Sequence, residues 1–249
     1  GFGTRLSEET TIIPKPMVEI GGMPILWHIM KGYAHHGFKD FVVLVGYKGE
    51  MIREWFVNYG LKFAGNTIDL SQKDITMRRD CEEDWRVTVL DTGLDTMTGS
   101  RIKKAKSLIG DEPFLLTYGD GVSDVDIGKL VSFHEQSGRL ATLTAVQPAG
   151  RWGALEMDAS GRISSFEEKP QGDGGWINGG FFVCSSRVLD YIATGEDVIW
   201  ERQPLKRLVA EGQLGCYKHH GFWQPMDMLR DKILLNKLWD DGTAPWKVW

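Results

Sequence analysis

From residue 23 to residue 148 the chain alternates short apolar runs with amphipathic stretches, and that alternation admits few architectures. FVVLVG (41–46), RVTVLDTG (86–93), PFLLTYGDG (113–121) and LATLTAVQP (140–148) read as buried strands. Between them MPILWHIMKGYAHHG (23–37), GEMIREWFVNYG (49–60), GSRIKKAKSLIG (99–110) and DIGKLVSFHEQSG (126–138) read as helices, the first opened by Pro24 and closed by Gly37. Strands separated by single helices imply parallel βαβ units, hence an open sheet covered on both faces whose ligands sit beyond the C-terminal strand ends. With 249 residues, 42% of them hydrophobic, the chain can bury a full core. We expect an α/β, Rossmann-like three-layer fold with a mostly parallel central sheet.

After Pro148 the pattern changes. GALEMDASGRISSFEEKP (153–170) reads as a hairpin turned at Ser160–Gly161 and WINGGFFVCS (176–185) as a strand, while IWERQPLKRLVAEG (199–212) and MDMLRDKILLNKLWDDG (226–242) return to helix. The expected organisation is a single domain, with residues 1–148 binding a nucleotide and residues 149–249 adding a small β-rich insertion and the C-terminal helices. The stretch from Gly60 to Asp84 has weak periodicity and fits a mobile lobe or a poorly marked hairpin equally.

Charge and cysteine usage narrow the function. A formal net charge of −5 argues against a general nucleic-acid binder. Cys81, Cys184 and Cys216 are far apart and odd in number, which suits a reducing compartment. No apolar run approaches the roughly 20 residues that span a bilayer. The expectation is a cytoplasmic protein.

The chain opens GFGTRLSEETTIIPKP, where Gly1 and Gly3 let a backbone approach phosphates and Thr4 and Arg5 add donors. By itself the pattern is weak, matching neither the Walker loop nor the dinucleotide fingerprint. Pro14 and Pro16 restrict the backbone on both sides of Lys15 and present its ammonium stiffly, which suits a polyphosphate partner. Asp120, where the strand PFLLTY ends between two glycines, reads as a ligand for a hard cation such as Mg²⁺ or as an ordinary Asp-Gly turn. Asp227, in WQPMD, reads as its partner or as a helix N-cap.

Taken in order, GTRL (3–6), PKPM (14–17), YGDG (118–121), FEEKP (166–170), INGGFFV (177–183) and GFWQPMD (221–227) resemble the sugar-1-phosphate nucleotidyltransferases over nearly the whole chain. The resemblance implies an Mg²⁺ ion held by Asp120 and Asp227, pyrophosphate held by Arg5 and the Gly1–Arg5 backbone, and charge at the α-phosphate met by Lys15. It further implies that Lys169 aims the sugar phosphate, that Glu168 accepts sugar hydroxyls, and that Gly153, Asn178 and Gly179 complete the sugar pocket. Base choice is expected in DTMTGSR (95–101), with Thr96 and Arg101 reading the pyrimidine edge beside Gly99; Arg101 also fits the start of a solvated basic helix. The substrates so implied are CTP and glucose 1-phosphate, with UTP or dTTP as the alternative nucleotides and a homo-oligomer as the assembly. Members of this family carry a short apolar strand and an alanine-glycine step before the loop, whereas Gly1 here begins inside it, so we expect the given sequence to lack that first strand.

Two other readings compete. Asp124-Val-Asp126 mimics the metal-binding pair of glycosyltransferases, although acids at a helix start also serve as caps. A non-catalytic nucleotide-binding protein would keep the glycine loop without the paired acids. The paired histidines His35-His36 and His219-His220 lack zinc spacing and read as surface and strand-end residues. Trp246 and Trp249, in the ending APWKVW, are expected to dock, with a neighbouring subunit as one surface for them.

Overall fold

A computed structural model describes residues 12–63, 66–69, 74–77, 83–148, 154–157, 162–167 and 175–249. The strands are β1 (Glu19–Ile20), β2 (Met23–Pro24), β3 (Asp40–Val45), β4 (Asn66–Asp69), β5 (Asp74–Met77), β6 (Arg86–Asp91), β7 (Phe114–Thr117), β8 (Gly121–Ser123), β9 (Ala141–Val146), β10 (Ala154–Met157), β11 (Ile163–Glu167), β12 (Ile177–Cys184), β13 (Leu214–His219) and β14 (Trp223–Pro225). The helices are α1 (Ile25–His35), α2 (Gly49–Val57), α3 (Tyr59–Phe63), α4 (Thr98–Lys104), α5 (Lys106–Ile109), α6 (Ile127–Ser137), α7 (Gln203–Ala210) and α8 (Leu229–Asp240). This is an α/β fold, and every helix and strand expected between residues 23 and 148 is present.

β3 and β6 pair in parallel. The larger sheet runs β13-β9-β12-β7: β13 and β9 are parallel, and β12 is antiparallel to both β9 and β7. Three of its four strands therefore share a direction. β12 reverses because it returns from the hairpin β10/β11 rather than through a helical crossover. The weakly patterned Gly60–Asp84 stretch contributes another antiparallel hairpin, β4/β5.

Alternate residues of β12 face different cores, which gives the layered build. Phe181 and Val183 pack with Ile25, Ile29, Val122 and Leu130 on one face. Phe182 and Cys184 pack with Val188, Trp200 and Leu208 on the other. A third cluster of Met17, Leu26, Met30, Val45 and Ile52 seals α1 against β3. The helix α1 buries seven of its eleven residues, so MPILWHIMKGYAHHG faces core almost all round.

The segment carrying Lys15 is a single 3-10 turn, Lys15–Met17, entered from the extended Pro14. Met17 and Val18 are buried and pull the backbone down on either side of two core clusters. The hairpin β1/β2 follows, turned by Gly21 and Gly22 at φ values of 58° and 78°. Two successive left-handed residues make the primed turn that matches strand twist. A Cβ on Gly21 would lie 2.0 Å from Nε1 of Trp239, whereas one on Gly22 would meet nothing within 4 Å. Gly21→Ala is therefore expected to destabilise by roughly 3 kcal/mol or more through strain plus displacement of an indole, and Gly22→Ala by about 1 kcal/mol through strain alone. Urea midpoints of the two variants check this; equal losses would refute the packing argument.

Both tryptophans of the C-terminal segment pack against residues of their own chain. Trp246 is buried, stacks on Phe222 and Trp239, and donates its indole N–H to Nδ1 of His28 at 3.4 Å. Trp249 meets Trp27 edge to face with ring centres 5.8 Å apart. Trp246 thus lies among α1, α8 and Phe222, and Trp249 lies on α1. Among the described residues no helix is long and apolar enough to cross a membrane.

Candidate active site

Lys15, Asp120 and Asp227, which stand 105 and 212 positions apart from the lysine to each acid, meet at one point. The Lys15 ammonium donates to Asp120 Oδ2 at 2.8 Å and to Asp227 Oδ1 at 2.5 Å. Burial acts to lower the lysine's pKa, but the charge of Asp120 and the hydrogen bonds to both carboxylates outweigh it and hold the pKa above its ordinary value.

Three local arrangements bring them there. Asp120 sits in the break between β7 and β8, where a Cβ on Gly119 would lie 3.1 Å from Pro16, so the YGDG turn rests directly on the PKP turn. The short ladder β8/β14 sets Gly121 opposite Pro225, and Met226 N–H donates to the Asp120 carbonyl at 2.7 Å, which brings Asp227 alongside. The third is Asp231, in the first turn of α8, whose carboxylate accepts the N–H groups of Asp227 and Met228 at 3.0 and 2.8 Å. That carboxylate does the capping, which frees the Asp227 side chain for Lys15. The spacing of Asp227 and Asp231 at the head of a helix was the available signal for this role.

The carboxylates fit a hard divalent cation of the magnesium type. Two oxygens of different residues are directed at one position already occupied by a positive charge, and oxygen is the donor such ions take. Among the described residues no group of three or more His, Cys, Asp or Glu gathers to hold a metal. A cation at this pair would complete its shell with substrate oxygens and water, as magnesium sites in phosphoryl chemistry do.

Arg101, Thr96 and Gly99 lie together beyond the C-terminal ends of β3 and β6. Nη1 of Arg101 donates to the Val45 carbonyl, the Thr92 hydroxyl and the Gly93 carbonyl, and Nη2 donates to the Leu94 carbonyl. The guanidinium binds the loop 92–94 to the end of β3. Thr96 is buried and donates to the Thr92 carbonyl at 2.6 Å, and the Lys104 ammonium joins the Thr92 carbonyl, Thr96 and Glu196. A Cβ on Gly99 would lie 2.8 Å from the Val198 carbonyl, so this glycine lets the strap 196–201 close over α4. Thr96 in the loop and Gly99 and Arg101 in α4 thus brace one another, none of them bonded to Lys15.

Asn178 and Gly179 stand at a register shift of β12 against β9. Asn178 donates to the Tyr118 hydroxyl at 3.2 Å and accepts the Gly180 N–H, while the Gly179 carbonyl accepts the Trp223 indole N–H at 2.7 Å. A Cβ on Gly179 would lie 2.8 Å from Val146, so its lack of a side chain serves packing within the sheet. Tyr118 stands in the YGDG motif with no role expected of it, and Glu201 lies outside every motif. The Tyr118 hydroxyl donates to Glu201 at 2.6 Å, and burial with that hydrogen bond pushes the phenol's pKa up. Glu201 also accepts from Thr98 at 2.8 Å, so one carboxylate joins the Arg101 loop to the turn that carries Asp120.

Gly1, Gly3, Thr4, Arg5, Gly153, Glu168 and Lys169 lie outside the described residues, as does the Ser160–Gly161 turn. The glycosyltransferase reading finds both its acids engaged elsewhere: Asp126 caps α6 by accepting the Lys129 N–H, and Asp124 pairs with His219 at 2.8 Å. Ser123 approaches the same Nε2 of His219 at 3.3 Å, so this trio shares one nitrogen and lacks the relay through both ring nitrogens that a nucleophilic triad uses.

Comparison with known proteins places this chain in a family. The family model described as nucleotidyl transferase matches residues 1–224. The chain belongs to that family. It is 52% identical over 250 residues to the glucose-1-phosphate cytidylyltransferase of Salmonella typhi, spanning all of this chain and 96% of that protein. It is 45% identical over 249 residues to the probable glucose-1-phosphate cytidylyltransferase of Bacillus subtilis, spanning all of this chain and 97% of that one. The crystal structure of HddC from Yersinia pseudotuberculosis superposes with a TM-score of 0.69 at 23% identity, covering 96% of each chain, and shares the fold. In a nucleotidyl transferase the meeting of a partly buried lysine with two acids is a charge cluster suited to phosphate chemistry, and the loop beyond β3 and β6 lies where doubly wound sheets bind nucleotides.

Proposed function

We propose that this protein transfers a cytidylyl group from CTP to α-D-glucose 1-phosphate, releasing pyrophosphate and forming CDP-glucose. The observation that carries the reading is the convergence of Lys15, Asp120 and Asp227, and the substrates follow from the names of the 52% and 45% identical relatives. The sugar phosphate oxygen attacks the α-phosphorus in line, with no covalent enzyme intermediate, so catalysis is positioning plus charge neutralisation. An Mg²⁺ ion between Asp120 and Asp227 supplies Lewis-acid neutralisation of phosphate charge when bound. Lys15 neutralises charge developing on the α-phosphate. Arg5 with the Gly1–Arg5 backbone holds the departing pyrophosphate, Lys169 aims the nucleophile, and Glu168 with Asn178 receives the sugar hydroxyls. Thr96 and the loop braced by Arg101 choose the base, Gly99 shapes that loop by letting the strap 196–201 close over α4, and Gly153 completes the sugar pocket.

Pyrophosphate release measured across four NTPs and several sugar 1-phosphates tests the reading. CTP with glucose 1-phosphate is expected to turn over fastest. Faster use of UTP or dTTP would reassign the base, and no release with any pair would return the glycosyltransferase or non-catalytic readings. Arg101→Ala should narrow the CTP:UTP preference in kcat/KM by about tenfold, since up to four hydrogen bonds from a charged donor hold the loop. An unchanged ratio in competition assays moves base selection away from this loop.

A further inference from the structure

The position of the Lys15 ammonium bears on how cation and nucleotide are taken up, and the inference rests on the proposed role of Asp120 and Asp227. The nitrogen lies within hydrogen-bond distance of an oxygen of each acid, so it occupies the point to which both are directed. A divalent cation bound to those oxygens at roughly 2.0–2.1 Å would need the same position. The two positive charges cannot share it.

The surrounding structure leaves the lysine one way to yield. Its backbone is held by the Pro14 and Pro16 rings, by the hydrogen bond from Met17 N–H to the Pro14 carbonyl, by the burial of Met17, and by the seat of Pro16 against Gly119. The main chain at each acid is held as firmly, at one by the β8/β14 ladder and at the other by Asp231. The four-carbon lysine side chain is the longest of the three and has the greatest reach to swing. What draws it off must be an anion that competes with the carboxylates for the ammonium, and a triphosphate is one.

We propose that Lys15 is an internal counter-ion that keeps divalent cations out of the nucleotide-free site, and that the triphosphate admits them by drawing the ammonium onto its own oxygens. The phosphate that removes the lysine also brings oxygen ligands to a pair that no third His, Cys, Asp or Glu joins among the described residues. Cation and nucleotide then bind with positive coupling, and linkage requires that coupling to be reciprocal.

Mn²⁺ binding, read by electron paramagnetic resonance on the full chain with and without CTP and in the absence of sugar phosphate, tests this. The wild-type protein is expected to bind Mn²⁺ at least about tenfold more tightly with CTP than without it. Lys15→Met is expected to bind Mn²⁺ without nucleotide about tenfold more tightly than wild type does, and to lose most of the gain from CTP. Lys15→Arg, which keeps the charge, should still exclude the ion. If Lys15→Met fails to fold by circular dichroism, Lys15→Gln, which keeps a donor for the acids, takes its place. Nucleotide-free affinity in the neutral variant no tighter than in wild type overturns the proposal. A separate arm keeps the two readings apart: if Asp120→Asn/Asp227→Asn leaves Mn²⁺ binding with CTP unchanged, the acid pair is not the cation site and the earlier reading fails; if it abolishes that binding while Lys15→Met changes nothing, only the counter-ion role fails.

Discussion

Asp120→Asn is expected to leave the fold intact and to lower kcat by about two to three orders of magnitude, the usual cost of removing one preorganised electrostatic group from a reacting centre. The main chain at this position carries the structural load: the Asp120 carbonyl accepts Met226 N–H, and β8 pairs with β14 whatever the side chain is. The asparagine is nearly isosteric and its amide oxygen can still accept from Lys15, so the melting temperature should move by no more than a few degrees. The lost group is a negative charge aimed at the point where cation and ammonium compete. Pyrophosphate release that survived undiminished in a folded variant would falsify the assignment of this turn to the chemistry.

The second large effect concerns stability in acid and centres on His28. Its imidazole is buried, donates from Nε2 to the Ile20 carbonyl at 2.8 Å, and accepts the Trp246 indole N–H on Nδ1. The rings of Trp27, Trp239, Trp246 and Trp249 surround it at centre distances of 5.1, 4.7, 6.2 and 6.3 Å. Burial is the main cause that lowers its pKa from 6.5 to about 4. Because the folded value lies below the unfolded one, the unfolded chain takes up a proton that the folded chain refuses. The contribution to stability is therefore full above pH 6.5, falls between pH 6.5 and about 4, and is flat below that. A shift of this size corresponds to about 3 kcal/mol. Urea midpoints measured at pH 7 and pH 4.5 should show most of that loss in the wild type and much less in His28→Gln, which keeps a donor for Ile20 without titrating. Identical pH slopes in the two proteins would assign the acid sensitivity to other groups, His36 and His134 first, whose pKa values burial also lowers.

These two sites differ in how much of them could be read from residue order. The strand and helix pattern between residues 23 and 148 was legible because hydrophobic period is a local property: FVVLVG and PFLLTYGDG announce strands, and MPILWHIMKGYAHHG announces a helix between Pro24 and Gly37. Lys15 was conspicuous because two prolines flank it, and Asp120 because glycines do. The glycine pair of INGG stands at a register shift of β12 against β9. The Gly21-Gly22 turn is written plainly in EIGGMP.

What residue order could not settle was which polar groups find one another. Asp227 read equally well as a ligand or a cap until the structure gave the capping to Asp231. Arg101 read as a base reader or as a solvated helix residue; its guanidinium instead grips four atoms of the neighbouring loop and β3. Tyr118 stood in YGDG without a role and Glu201 stood in no motif, because a hydrogen bond across 83 positions leaves no trace in local spacing. The tail APWKVW declared that it would dock, since four apolar or aromatic residues in six gain from leaving water, but not where; that depended on the aromatic side chains of α1, α8 and Phe222, which come together only once the chain has packed. By itself, then, the sequence determined the alternating elements and the residue types of a phosphate-handling site. The closing of the chain decided the pairing of charges, because electrostatic and hydrogen-bond partners are set by distances of about 3 Å that only three-dimensional packing supplies.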